Sequence, residues 1–404
     1  MAVSTRLSAL GLILLVTACG AGAEAPAEPL PPAIPVAQQV SADVAELVAA
    51  MDTFGLDLLT SPTLADKPNL VLSPASASLA LQMVGAGASG ETAAQMKKVL
   101  HLPEGVQPRM PAFDLTDLKV ANTVWAQQGL VLKPGFTGTL RDQFGAAMNE
   151  ADFKTDWDGA RARINKTVED QTAGKIPDLF PAKSITPLTR VVLTNALYLK
   201  AAWAREFPRD KTKNEPFTRS DGSTVSVPMM RNEPFKEPKA PLGYAEGPGY
   251  QVVTLPYRGG KLAFTVIIPS STEALRAKGI ATVLSEVQPA DVQLAMPKFT
   301  VRSAMDLKKT LETAGMPLAF SSAADFSGIT QQEPLRLDSV QHKTFVQVDE
   351  EGTEAAAATG VDVQVVSAPV VRTVTVDRPF IFVITDTATG APLFLGRVND
   401  PTAG

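Results

Sequence analysis

Histidine occurs twice, at His101 and His342, and cysteine once, at Cys19. Neither histidine has a partner at a metal-ligand spacing, and no G-x-S-x-G nucleophile elbow is present. Gly85-Ala-Gly-Ala-Ser-Gly90 does match G-x-G-x-x-G. A dinucleotide site of that kind follows a strand within a βαβ unit. Here Ser73-Pro74 upstream is a helix start, with serine as N-cap and proline as first helical residue. The glycines therefore read as a tight turn between helices. With so little side-chain chemistry the chain is not expected to be an enzyme, and no cofactor or metal is expected.

The segment richest in chemistry works through its backbone. From Thr353 every second residue is Ala355, Ala357, Thr359, Val361, Val363 and Val365, all small or β-branched. The other parity holds Glu354, Ala356, Ala358, Gly360, Asp362, Gln364 and Val366. That is the period of a half-buried strand. No proline interrupts it before Pro369, so each N–H is free to join a ladder. Two other readings stay open on local grounds. Alanine favours helix, with Thr353 as a cap, and a Gly/Ala/Thr-rich run also suits a surface loop.

The chain of 404 residues exceeds the usual single-core size, so two domains are the first expectation. Its formal net charge is −5, and the mild acidity with no Lys/Arg cluster argues against a nucleic-acid partner. A single cysteine excludes a disulfide framework. Cys19 follows an apolar run over residues 7–18 that is short for a membrane span. Val16-Thr17-Ala18-Cys19 resembles a bacterial lipobox, which implies cleavage after residue 18 and lipidation of Cys19. An ordinary signal peptide cut near Ala18 or Ala21 is the other reading. Residues 19–40, rich in Ala, Pro and Glu, read as an extended tether. The expected location is the cell envelope, on the outer membrane or the cell surface, because Gly20 is not the acidic residue tied to inner-membrane retention.

The folded body is expected over residues 41–402. Apolar spacing places a helix over residues 43–59, and Asn69-Leu70-Val71-Leu72 is a short strand. Helices follow over 75–84, 91–100 and 161–172, the last stopped by Gly174. Strands are expected over 119–127, 191–199, 251–255, 262–268, 292–302, 380–385 and 393–398. A helix over 305–314 ends at Gly315. Helices dominate the first half and strands the second. The interleaving points to one mixed α/β body with large sheets.

Several stretches together resemble one family. Asn69-Leu-Val-Leu-Ser-Pro-Ala-Ser76 with Gly87-Ala-Ser-Gly-Glu-Thr92 is similar to the serpin N-terminal signature. Residues 164–176 resemble the helix that precedes the third strand of the main sheet. Leu193-Thr-Asn-Ala-Leu-Tyr-Leu-Lys200, with Trp203 and Phe207, resembles that strand and its exit. Pro297-Lys-Phe299, Asp306-Leu-Lys308, Ala324-Asp-Phe-Ser-Gly-Ile329, His342-Lys343, Asp377-Arg-Pro-Phe380 and Phe394-Leu-Gly-Arg397 continue the match to about residue 400. The segment from Asp349 to Thr359 resembles the proximal hinge of an inhibitory serpin's reactive-centre loop.

The resemblance implies a mixed α/β (multi-domain α+β) fold of three β-sheets, eight to nine helices and an exposed loop over about residues 350–372. It implies a hinge made of Glu350, Glu351, Gly352, Thr353, Glu354, Ala355, Ala356, Ala357, Ala358 and Thr359. Ser73, Ser76, Asn195 and His342 match the polar shutter under the main sheet. Trp203, Lys298 and Glu350 match the breach at its top. The implied function is suicide inhibition of serine proteases, with cysteine proteases as a second class. The protease cuts the loop, an acyl-enzyme forms, and the freed loop inserts into the main sheet. Counting from Glu350 puts the scissile bond at Val366–Ser367, and counting from Pro379 at Ala368–Pro369. Since proline after the cut makes a poor substrate, Val366–Ser367 is preferred. A small apolar primary residue suits elastase-like or subtilisin-like targets. A serpin-fold binding or structural protein without inhibitory activity is the alternative. A monomer is expected, with the membrane reached through the Cys19 lipid.

Overall fold

The computed structural model describes residues 40–106, 118–233, 241–269, 272–353 and 371–403. Cys19, Glu354 to Thr359, and the Val366–Ser367 and Ala368–Pro369 bonds lie outside the described residues.

Two sheets make the body. The larger runs in the order β1 (Asn69–Leu72), β18 (Pro392–Val398), β17 (Phe380–Asp386), β10 (Leu262–Pro269), β9 (Tyr250–Pro256), β8 (Leu242–Gly247) and β11 (Gln288–Ala290). All its pairings are antiparallel. In β17 every residue is buried, as a run of Phe, Ile and Val predicts for a strand covered on both faces. The second sheet is β16 (Arg372–Thr375), β12 (Val292–Pro297), β7 (Thr224–Arg231) and β6 (Lys213–Thr218), with β12 and β16 parallel.

A third layer comes in pieces. One ribbon is β3 (Ala147–Ala151), β2 (Leu118–Gln127) and β4 (Val191–Leu199). The other is the hairpin β13 (Phe299–Asp306) and β14 (Gln341–Val348), in register from Phe299 opposite Val348 to Asp306 opposite Gln341. β14 lies beside β4, yet no ladder joins them among the described residues. Above this seam a two-residue ladder pairs β15 (Gly352–Thr353) with β5 (Ala201–Ala202).

Eight α-helices are described: α1 (Ala42–Leu59), α2 (Pro74–Gly85), α3 (Gly90–Val99), α4 (Pro134–Phe144), α5 (Trp157–Gln171), α6 (Thr272–Lys278), α7 (Ile280–Ser285) and α8 (Lys308–Ala314). The serine–proline start of α2 holds: the Ser73 hydroxyl accepts from the Ser76 N–H at 3.2 Å. The Gly85 to Gly90 run is the turn between α2 and α3. A Cβ on Gly87 would sit 2.2 Å from the Ile329 side chain, so the glycine there serves close packing.

Two expectations change. The single strand over residues 292–302 divides at Lys298, because β12 belongs to the second sheet and β13 to the hairpin with β14. The helix expected from residue 305 starts only at Lys308, since Met305 and Asp306 still pair with His342 and Gln341. Long-range pairing overrides local propensity in both places.

Candidate functional site

The exit of β4 carries two aromatic residues that meet the segment after β14. Trp203 is buried, and its indole Nε1–H donates to the Asp349 carbonyl at 2.9 Å. Its backbone N–H donates to the Glu351 carbonyl at 2.9 Å, and the Phe207 N–H to the Glu350 carbonyl at 2.8 Å. The ring stacks on Tyr257, centroids 4.7 Å apart and planes 12° from parallel. Residues 349–351 are therefore held by backbone bonds whatever their side chains do.

The side chains add a charge clasp. Lys298 Nζ stands 2.7 Å from a Glu350 carboxylate oxygen, and the Thr212 hydroxyl donates to the other at 2.8 Å. Burial works to raise the Glu350 pKa, but the hydrogen bonds from Lys298, the backbone and Thr212 outweigh it and hold the carboxyl below its ordinary value. Arg209 pairs with Glu351, whose hydrogen bond raises the guanidinium pKa. Asp349 folds back, its carboxylate accepting from the N–H groups of Glu351 and Gly352 at 2.9 and 3.3 Å.

The next two residues are already inside. Gly352 pairs with Ala202 and Thr353 with Ala201. Gly352 has φ +150°, and a Cβ there would lie 2.3 Å from the Ala201 carbonyl oxygen, so the close approach requires glycine. Thr353 is 1% exposed and shares a 2.7 Å hydrogen bond with the Tyr257 hydroxyl. Burial raises the Tyr257 phenol pKa, which keeps it a neutral donor and acceptor. Both ends of the exposed loop expected over about residues 350–372 are instead part of the folded body. Glu350, Glu351, Gly352 and Thr353 are buried, and Arg372 opens β16.

At the far end of the seam from this mouth, a cavity of about 370 Å³ lies beside the first residues of β4 and β14, lined by Ser76, Leu81, Phe180, Val192, Leu193 and His342 among others. Ser76 and His342 of its lining belong to a buried polar cluster. The Ser73 N–H donates to His342 Nε2 at 3.0 Å, which fixes a neutral imidazole with its proton on Nδ1. Burial lowers the His342 pKa to about 4. The Thr344 hydroxyl donates to the Val71 carbonyl at 2.7 Å, and the Val71 N–H to Ser303 Oγ at 2.9 Å. Asn195 stands opposite Asn122 in the β4–β2 ladder, and its side chain lies outside the described part of the structure.

On the other face, β14 turns Lys343, Phe345 and Gln347 outward by strict alternation. Lys343 donates to the Pro177 and Asp178 carbonyls in the chain after α5. The Phe345 ring lies between the Lys175 ammonium at 5.5 Å and the Arg302 guanidinium at 4.8 Å. α5 has its own small core, with Ile164 and Val168 against Trp125, Phe153 and Val192.

The seam between β4 and β14 thus carries a two-residue ladder at its mouth and no ladder across it among the described residues. The family model described as Serpin (serine protease inhibitor) matches residues 49–401. The chain is a serpin. It is 36% identical over 380 residues to an uncharacterized serpin-like protein of Thermococcus kodakarensis, covering 89% of this chain and 86% of that one. It is 34% identical to the leukocyte elastase inhibitor of Bos taurus, covering 88% of this chain and all of that one. Among solved structures, cleaved Serpin 42Da superposes with a TM-score of 0.78 at 30% identity, over 89% of this chain and 99% of that one. The family's description is that of protease inhibitors, not of enzymes, in line with the expectation from the sequence.

Within the serpin frame the structure brings together Trp203, Lys298 and Glu350 as one cluster, and Ser73, Ser76 and His342 as another. Sequence reasoning missed Arg209, Thr212 and Tyr257 in the first and Ser303 and Thr344 in the second. Thr212 and Tyr257 touch the hinge only through folding of the chain after Trp203. No spacing in the sequence signals those contacts.

Proposed function

We propose that this serpin inhibits small-residue-specific serine proteases of the elastase-like or subtilisin-like type by irreversible trapping. The observation that carries the reading is the seam between β4 and β14, with Thr353 seated at its upper end. A protease that attacks Val366–Ser367 forms an acyl-enzyme. The freed segment continues the β15 strand inward, where Ala355, Ala357, Thr359 and the valines present small, uncharged side chains to the buried face. A strand of some 14 residues gains about 1 kcal/mol net per backbone hydrogen bond, which favours insertion over return to the loop state. Trapping succeeds when insertion outruns deacylation. The elastase-inhibitor relative supports the target class, since Val366 suits a small apolar pocket.

The test is incubation of the protein with pancreatic elastase, subtilisin and trypsin. A band of summed mass on a denaturing gel with the first two, and a released C-terminal peptide beginning at Ser367, is the expected result. Clean cleavage with full protease activity refutes inhibition and favours a binding role. We further propose that the protein is tethered through a lipid on Cys19 at the cell envelope, with residues 19–40 as spacer. Incorporation of labelled palmitate, lost in Cys19→Ala, tests that reading.

A further inference from the structure

Two residues of the expected loop are already paired and buried. Gly352 and Thr353 form a ladder with Ala202 and Ala201, and the side chain at position 353 lies inside the fold. Backbone pairing of two residues is a weak hold, since such a short ladder adds few hydrogen bonds. Something further must keep the segment seated.

Tyr257 is placed to do so. It follows β9, is fully buried, and spans the mouth of the seam. One end of the ring stacks on Trp203, which binds the carbonyls of Asp349 and Glu351. The other end, the hydroxyl, meets Thr353 Oγ1 at 2.7 Å. A backbone bridge between Trp203 and Tyr257 fixes the two rings relative to each other. If Thr353 withdrew, a buried hydroxyl would lose its partner, a costly arrangement. The next residue of the same parity is Ala355, which has no hydroxyl, so this contact selects one position of the strand.

We propose that Tyr257 is a positioning residue that holds the strand at residue 353, so that the uncleaved protein waits with insertion begun and not yet advanced. The inference rests on the inhibitory reading above for its consequence, a shorter path to complete insertion once the loop is cut. The physical contact itself is independent of any protease. Releasing it gives a longer free loop, cut more readily, and a slower start to insertion, so more inhibitor is consumed for each protease trapped.

Hydrogen–deuterium exchange on the full-length protein tests the contact, with Tyr257→Phe, Thr353→Val, Thr353→Ser and the Phe/Val double variant. Tyr257→Phe keeps the ring on Trp203, and Thr353→Val keeps the shape. Peptides covering residues 199–204 and 349–353 are expected to exchange about tenfold faster in Tyr257→Phe and Thr353→Val. The double variant should be no faster than either, and Thr353→Ser should retain wild-type protection. With pancreatic elastase, the amount of inhibitor needed per protease should rise at least about twofold in the same two single variants. Unchanged exchange in Tyr257→Phe, or loss of protection in Thr353→Ser, overturns the proposal. A wild-type protein that is cut without trapping refutes the inhibitory function instead, and the exchange data then still decide whether Tyr257 seats the strand.

Discussion

Replacing Lys298 by alanine strands the Glu350 carboxylate. Its side chain is 6% exposed, against 34% for Lys298. A solvent-exposed pair contributes about 0.2–1 kcal/mol, and removing one partner of a fully buried pair costs about 3–5 kcal/mol. Here the acid is buried and the base partly wet, and Thr212 remains as one donor, so the cost should be about 2 kcal/mol. For a domain of this size that lowers the midpoint of thermal unfolding by about 3 °C. The sign with pH follows from the Glu350 pKa, which is lowered in the fold. Its stabilisation is present above the unfolded-chain value and is lost as pH falls through the folded one. In the Lys298→Ala protein burial is no longer outweighed, so the gap to wild type should close as pH falls toward about 4. Thermal unfolding of wild type, Lys298→Ala, Glu350→Gln and the double variant at about pH 7.5 and about pH 4 measures this, with Glu350→Gln expected to reduce the penalty of losing Lys298. A midpoint within about 1 °C of wild type at the higher pH, or an equal drop at both, would refute a buried clasp.

Three further outcomes are expected. His342→Gln should flatten acid destabilisation: the folded pKa of about 4 lies below the ordinary 6.5, so stability is complete above 6.5 and falls as pH drops toward 4, by up to about 3 kcal/mol; urea midpoints of wild type and variant across this range show it. Asp52→Asn should act with the opposite sign. Burial raises the Asp52 pKa to about 7 and leaves Oδ1 without a partner, so its folded form is favoured at low pH and stability is lost as pH rises toward 7. The variant should gain up to about 4 kcal/mol at about pH 8 and nothing near pH 4, read from the same urea midpoints. Gly352→Ala should expel the hinge, since its Cβ collides with the Ala201 carbonyl; loss of amide protection at Trp203 and a rise in loop cleavage without trapping would report it.

Features that depend on local pattern were legible in the sequence. The Ser73-Pro74 helix start and the β1 strand each follow from neighbours within a few positions. The Gly85 to Gly90 turn was also legible, although its cause, Ile329 packed against Gly87, was not. Hidden features depend on which distant strand a segment chooses. Residues 292–302 carry a continuous strand pattern, and only the separate partners of β12 and β13 break it at Lys298. Likewise Tyr257 and Thr212 reach the hinge from segments about a hundred or more positions away, where propensity carries no information. The resemblance placed Lys298 and Glu350 together at the breach, but the burial that gives their contact its weight is a property of the fold.

The small core beneath α5 gives the molecule a layer that is expected to open before the rest. Ile164, Val168, Ile176 and Phe180 pack with Trp125 and Val192 in a cluster separate from the large one that runs from Met51 to Val398. A layer held by a small core of its own opens locally at a lower free energy than the whole fold. Warming should therefore lift the α5 layer and release Lys343 and Phe345 while the two body sheets stay intact, leaving β4 and β14 uncovered along their facing edges. Uncovered strand edges pair with whatever strand arrives first. The temperature at which this protein fails would then be set by the grip of one helix, well below the melting of its body.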